Sequence, residues 1–180
     1  MVERTNFEAM TCPIARTLEH VGEWWSILIL REAFAGKTRF DEFQVGLGIA
    51  PNMLSRRLVT LTDAGMLERR AYQERPTRYE YLLTERGHDF RTVLLALLSF
   101  GNRHFAPEGE SVMIVDTKTG MPVEPVLMDR VSQKPLNAPR FRMISGPSAT
   151  ATNAAHLASR PINALLSEKP IARLKPEVPQ

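Results

Sequence analysis

From residue 12 to residue 65, apolar side chains recur every three or four positions, the spacing of helices with one buried side. In "CPIARTLEHVG" (12–22), Pro13 suits the first helical position, where no amide donor is missed, and Cys12 then falls at the N-cap. Gly22 punctuates. "EWWSILILREAFAG" (23–36) predicts a second helix, with Trp24, Ile27, Leu28, Leu30, Arg31 and Phe34 on a wide buried face and Gly36 as its stop. "TRFDEFQVGLG" (38–48) predicts a short helix: Thr38 with Asp41 three residues on is close to a capping box, Phe40 and Phe43 face inward, and Gly46 and Gly48 end it. A fourth helix starts at Pro51 with an inner stripe of Leu54, Leu58 and Leu61, and "DAG" (63–65) closes it with Gly65 as C-cap.

The period then changes. "MLERRAY" (66–72) and "RYEYLLT" (78–84) predict two strands, joined by a polar tip in which Pro76 bars a ladder hydrogen bond. Thr84 is placed to cap a long helix over 85–105, with Phe90, Val93, Leu94, Leu97 and Leu98 along one side. Past "APEGE" (106–110), strand-like pieces cut by Thr-Gly and three prolines predict hairpins, and no repeat stands out. "SRPINALLSEK" (159–169) predicts a short helix before a tail. The expected organisation is a domain over 1–106, a hairpin-rich extension over 107–150, and a short helix and tail over 151–180. The fold class is mainly α with a β-hairpin wing, an α+β arrangement.

The order of elements narrows this further. Two helices joined by a tight glycine turn make a helix-turn-helix, and the hairpin after them makes it a winged one. The second helix of such a pair enters the major groove. Its outward side, opposite the leucine stripe, carries Asn52, Ser55, Arg56 and Val59, with Pro51 and Arg57 on the flanks. Arginine suits guanine edges and asparagine suits adenine. Arg57, nearer the core, reaches either a phosphate or an internal carboxylate. No acid occurs in this helix before Asp63, whereas a merely solvated helix mixes both signs. Arg75, Thr77 and Arg78 at the wing tip, and Lys37, Thr38 and Arg39 before the short helix, complete a set suited to backbone phosphates.

Charge and composition permit this partner without demanding it. The 180 residues carry a net charge of +3, a pI of about 9.3 and 43% hydrophobic residues. One cysteine, Cys12, excludes an internal disulfide framework and fits a reducing cytoplasm. The N-terminus lacks the apolar run of a signal peptide, and "VLLALLSF" (93–100) is too short to span a bilayer, so no membrane partner is expected.

The pieces "CPIARTLEHVGEWWSILILREAFAGKTRFDEF", "GIAPNMLSRRLVTLTDAGMLERR" and "ERPTRYEYLLTERG", taken in order, resemble the HxlR-type winged-helix transcriptional regulators, relatives of the MarR class, over about Cys12 to Phe105. The resemblance implies a bacterial homodimer that binds pseudo-palindromic double-stranded DNA, more often as a repressor than as an activator. It also implies that the first and last helices of the winged domain form the dimer contact, which brings in Ile14 and Leu18. The stripe Phe90, Val93, Leu94 and Leu97 is expected to put one edge in the core, against helix 23–36, and one edge in that two-fold interface. Some family members sense oxidants or electrophiles through a cysteine in a Cys-Pro context, and Cys12 matches that place. A small buried thiol capping the helix is the plainer reading of the same residue. Trp24 and Trp25 suit either an effector pocket or, more simply, a split between core and interface.

Two departures from the family pattern stand out. Ala50 precedes the recognition helix where a capping serine is common, a loss of about 1 kcal/mol. The tail of some longer members holds a zinc-ribbon-like hairpin. Here Thr119, Asp129 and Ser132 stand where sulfur ligands would be expected, so the extension resembles a metal-less ribbon.

Catalysis finds little support. His20, His88, His104 and His156 are scattered, "TKTG" (117–120) matches a β-lactamase box only in letters, and no Gly-rich phosphate loop is present. Neither an enzyme, a cofactor nor a bound metal is expected. The alternative function is a winged-helix protein-interaction module without DNA binding.

Overall fold

A computed structural model describes residues 7, 10–137, 140, 141 and 143–151. Its elements are α1 (Pro13–Val21), α2 (Trp24–Phe34), α3 (Phe40–Leu47), α4 (Pro51–Asp63), β1 (Leu67–Glu74), β2 (Thr77–Leu83), α5 (Glu85–Asp89) and α6 (Arg91–Phe105). This is a winged helix-turn-helix, with α3 and α4 as the paired helices and β1–β2 as the wing. The helix expected at 159–169 lies outside the described residues.

The core forms where α2, α3, α4 and the start of the wing meet. Ile29, Leu30, Phe43, Leu54, Leu58, Leu61 and Leu67 are fully buried there, and Val21, Ile49, Met66 and Phe90 close its edges. The leucine stripe of α4 is thus where its period put it. The face of α2 is rotated from expectation. It buries Ser26, Ile29, Leu30 and Glu32, while Trp24 and the Arg31 side chain face outward. A helix this apolar on several sides gives its period little power to fix the buried face.

The short helix begins later than its expected start. Its N-cap is Arg39 rather than Thr38, and the acid that closes the first turn is Glu42 rather than Asp41. The Glu42 carboxylate accepts the backbone N–H groups of Thr38 (2.9 Å) and Arg39 (2.8 Å). Gly46 lies inside α3 and does not end it. Gly48, at φ +61°, supplies the left-handed turn that does. In α4 the cap is Ala64, and Gly65 follows it at φ +66°.

The wing is tighter than its sequence suggested. The strands run out to Glu74 and Thr77, which pair directly across a two-residue turn at Arg75–Pro76. One residue is accommodated as a bulge between Ala71 and Gln73. Residues 38–39 add a third edge: Arg39 bridges Glu80, and the Tyr81 N–H donates to the Thr38 carbonyl at 2.7 Å.

The long helix expected over 85–105 is broken at Phe90. The Phe90 N–H bonds to Gly87 at 3.1 Å, three residues back, and its ring is buried. Thr84 fastens this corner by accepting the Gly87 N–H (3.1 Å) and donating to the Gly65 carbonyl (2.6 Å). A Cβ at Gly87 would collide with the Met66 carbonyl oxygen, so glycine lets α5 lie directly on the start of the wing.

The described chain divides into two units, one ending at Val126 and the other starting at Leu127. Each holds one hairpin, and the two hairpins repeat a pattern the sequence alone did not reveal. Val115 bridges Pro122 in the first, and Met128 bridges Pro135 in the second. Val123 N–H donates to the Ile114 carbonyl at 2.8 Å, and Leu136 N–H to the Leu127 carbonyl at 2.9 Å. Thirteen-residue spacing aligns Asp116 with Asp129, Thr119 with Ser132, and Gly120 (φ +69°) with Gln133 (φ +53°). The match was hidden because dissimilar pairs interrupt it: Thr117 with Arg130, Lys118 with Val131, Gly120 with Gln133 and Met121 with Lys134. The Asp129 carboxylate accepts the Ser132 N–H at 2.8 Å, and hydrogen bonds from Ser132 hold its carboxyl below the usual carboxylate value. Among the described residues, no group of three or more His, Cys, Asp or Glu is placed to hold a metal ion. The first hairpin is joined to α6 through Asn102, which donates to the Val112 carbonyl at 2.9 Å, and through an Arg103–Glu124 ion pair.

Candidate nucleic-acid interface

On α4, burial of Leu54, Leu58 and Leu61 forces the intervening positions outward, so Pro51, Asn52, Ser55, Arg56 and Val59 are exposed. Ala50 has the extended backbone of an N-cap but no capping side chain. Asn52 partly replaces it, since its Oδ1 accepts the Met53 N–H at 2.8 Å. Ser55 donates to the Pro51 carbonyl at 2.9 Å. The Arg56 guanidinium has no intramolecular partner among the described residues.

Arg57 resolves differently from its neighbour. It is only 8% exposed, and its Nη2 lies 3.4 Å from the Glu23 carboxylate, so of its two possible roles the structure favours the internal one. It therefore leaves the outward set. Lys37 also points inward, pairing with buried Glu32, which Arg31 meets at 2.6 Å from its other side. Burial alone would push the Glu32 carboxyl up. The hydrogen bonds from Lys37 and Arg31 outweigh it and hold the group below its ordinary value. Gly46 makes this approach possible, because a Cβ there would meet the Lys37 ammonium.

The wing arginines divide in the same way. Arg70 pairs with Glu80 at 2.8 Å, and Arg69 stacks over the Tyr79 ring at 3.5 Å. Arg39 lies over the Tyr72 ring at 4.6 Å. Arg75, Thr77 and Arg78 are exposed at the tip, and neither arginine there has a side-chain partner among the described residues. Sequence reasoning missed Glu32, Glu80 and Tyr72. The alternation of Arg70 with Tyr72, and of Arg78 with Glu80, was the available signal, since such residues share one face of a strand.

The expected dimer residues also separate. Ile14 (69% exposed), Leu18, Val93 and Leu97 (45%) stand in the open, but Phe90 is buried and Leu94 packs against the core. Phe90 and Leu94 are thus the core edge of the stripe, and Val93 and Leu97 its open edge. Met10, Trp24, Phe100 and Phe105 are further exposed apolar groups. Cys12 is half-buried at the α1 N-cap and makes no capping bond. Arg16, one turn on, donates to the Met10 carbonyl at 2.5 Å. Trp24 and Trp25 touch at 5.1 Å between ring centres, with Trp25 packed on the core.

Fold and basic face together define a winged helix-turn-helix of the transcription-regulator class. The HxlR-like helix-turn-helix family model matches residues 20–109, and the chain belongs to that family. It is 39% identical over 116 residues to Rv3095 of Mycobacterium tuberculosis, an uncharacterized HTH-type transcriptional regulator; the match covers 64% of this chain and 73% of that one. Among solved structures, PA1374 of Pseudomonas aeruginosa, described as a candidate transcription factor, is 49% identical with a TM-score of 0.59, covering 81% of this chain and all of its own. PA1607, described in the same terms, is 35% identical with a TM-score of 0.69, covering 79% of this chain and all of its own. Among the described residues, no helix is long and apolar enough to cross a membrane.

Proposed function

We propose that the chain acts as a homodimer that binds a pseudo-palindromic operator and represses transcription, with α4 in the major groove and the wing against the backbone. One observation carries this reading. Arg31, Lys37, Arg57 and Arg70 are paired with carboxylates, whereas Arg56, Arg75 and Arg78 are exposed and unpaired among the described residues. Arg56 on the outer face of α4, and Arg75 and Arg78 at the wing tip, thus carry unneutralised charge on the parts of this fold that meet DNA. Asn52, Ser55 and Arg56 are the base-reading candidates; Thr38, Arg39, Arg75, Thr77 and Arg78 are the backbone ones. The open apolar residues of α1 and α6 are the dimer surface, which would set the two copies of α4 roughly 34–36 Å apart. Cys12, half-buried at the N-cap of α1, links the reading to an oxidant or electrophile effector.

Fluorescence anisotropy on duplex DNA from just upstream of the protein's own gene tests the reading. Wild type binds, weakens steeply with salt, and loses operator preference when Arg56 and Arg75 are both changed to alanine. Equal, weak binding to operator and random DNA, with and without reductant, would instead favour a protein-interaction module.

A further inference from the structure

Arg39 is the N-cap of α3, and its backbone bridges Glu80 on the wing. It therefore stands where the helix-turn-helix and the wing join. Antiparallel partners share a face of the sheet. Arg39, Glu80 and Arg70 are consequently on one side, and Arg78, two residues before Glu80, is on it as well. Glu80 is bonded to Arg70, with Nε at 2.9 Å and Nη2 at 2.8 Å from the same oxygen. Arg39 instead rests on a neutral ring, its guanidinium carbon 4.6 Å from the centre of Tyr72. Tyr72 occupies the bulge of β1, where it and Gln73 together oppose Arg78, and the residue stays 37% exposed.

This support differs in kind from that of the neighbouring cations. Lys37, Arg57 and Arg70 are neutralised by carboxylates. An aromatic face orients a planar guanidinium yet leaves its positive charge and its outward N–H groups for another acceptor. A long side chain held in place beforehand also loses less freedom when it binds. Arg69 on Tyr79 is the contrasting pair: it lies on the opposite side of the wing, together with Tyr81, which packs against the core.

We infer that Tyr72 is a positioning residue that holds Arg39 ready for a DNA phosphate at the junction of α3 and the wing. This rests on the DNA-binding reading above. The experiment compares wild type with Arg39→Ala, Tyr72→Phe, Tyr72→Leu and the Arg39→Ala/Tyr72→Leu double variant, titrating the upstream duplex over a series of salt concentrations. Arg39→Ala lowers the slope of log K against log salt by about 0.9, one phosphate contact. Tyr72→Leu weakens binding several-fold with the slope nearly kept, Tyr72→Phe binds like wild type, and the double variant is no weaker than Arg39→Ala alone. In the DNA-free protein, the Arg39 Nε–Hε NMR resonance is shifted by the ring in wild type and Tyr72→Phe and returns to an unshifted position in Tyr72→Leu. If wild type binds DNA but Tyr72→Leu binds equally well, or the two losses multiply in the double variant, the positioning role is wrong and DNA binding stands. An Arg39 resonance that does not respond to Tyr72 also overturns it. Absence of salt-dependent binding by wild type removes both readings.

Discussion

α4 and α6 are both amphipathic helices, but they treat their two faces in opposite ways. α4 drives Leu54, Leu58 and Leu61 completely into the core and turns a polar face with an unpaired arginine outward. α6 has no fully buried residue and leaves Val93, Leu97, Phe100 and Phe105 in the open. An exposed apolar stripe costs solubility unless another apolar surface covers it, and an exposed unneutralised cation is best satisfied by an anion. Under the proposed function, the difference between the helices separates two kinds of partner on one small domain: a polyanion for α4 and a second copy for α6.

The largest effects should come from the stripe itself. Leu58→Ala, measured by urea unfolding, should cost about 2–5 kcal/mol, whereas Leu97→Ala should leave monomer stability nearly unchanged and weaken self-association in sedimentation. Equal losses of monomer stability at the two positions would erase the contrast. Next comes the outward face of α4. Arg56→Ala should cost about 1–3 kcal/mol of operator discrimination while altering stability by less than about 0.5 kcal/mol. The Glu32 cluster should show itself in acid. Its carboxyl is lowered on folding from an ordinary value of 4.5, so it contributes stability above that pH, and the contribution fades as pH falls through the depressed folded value. The stability gap between wild type and Glu32→Gln should therefore narrow below about pH 4.5, and a gap that widened there would contradict the assignment. The smallest effect should be that of Ala50→Ser. A new cap is worth about 1 kcal/mol at most here, since Asn52 already satisfies the Met53 N–H. Its more telling outcome would be release of Asn52, read as a change in base preference.

The helix-turn-helix was legible because its period was sharp. Leucines at 54, 58 and 61 leave one choice of inner face, and that choice alone places Arg56 outside. Glycines and a proline marked the right joints, although Gly46 proved to be a close-approach site for Lys37 and not a stop. What escaped the sequence depends on tertiary neighbours. Which of Asp41 and Glu42 closes the first turn depends on where the helix starts, and with Arg39 as the N-cap, beside its bridge to Glu80, Glu42 falls at the third helical position. The fate of each arginine was invisible for the same reason. Arg56 and Arg57 are adjacent and chemically identical, yet a carboxylate from the start of α2 waits for one and none for the other. The break at Phe90 was hidden because the backbone there stays helical in its angles, and only the shift of its N–H to the Gly87 carbonyl marks it.

Hydrogen exchange followed by mass spectrometry, with and without operator duplex and over a range of protein concentrations, tests the division of labour most directly. The account predicts that DNA slows exchange over residues 51–59 and 73–79, and that concentration alone slows it over 91–105. If operator DNA leaves 51–59 unchanged while it binds, the outward face of α4 is not the reading surface and the assignment of the two faces is wrong.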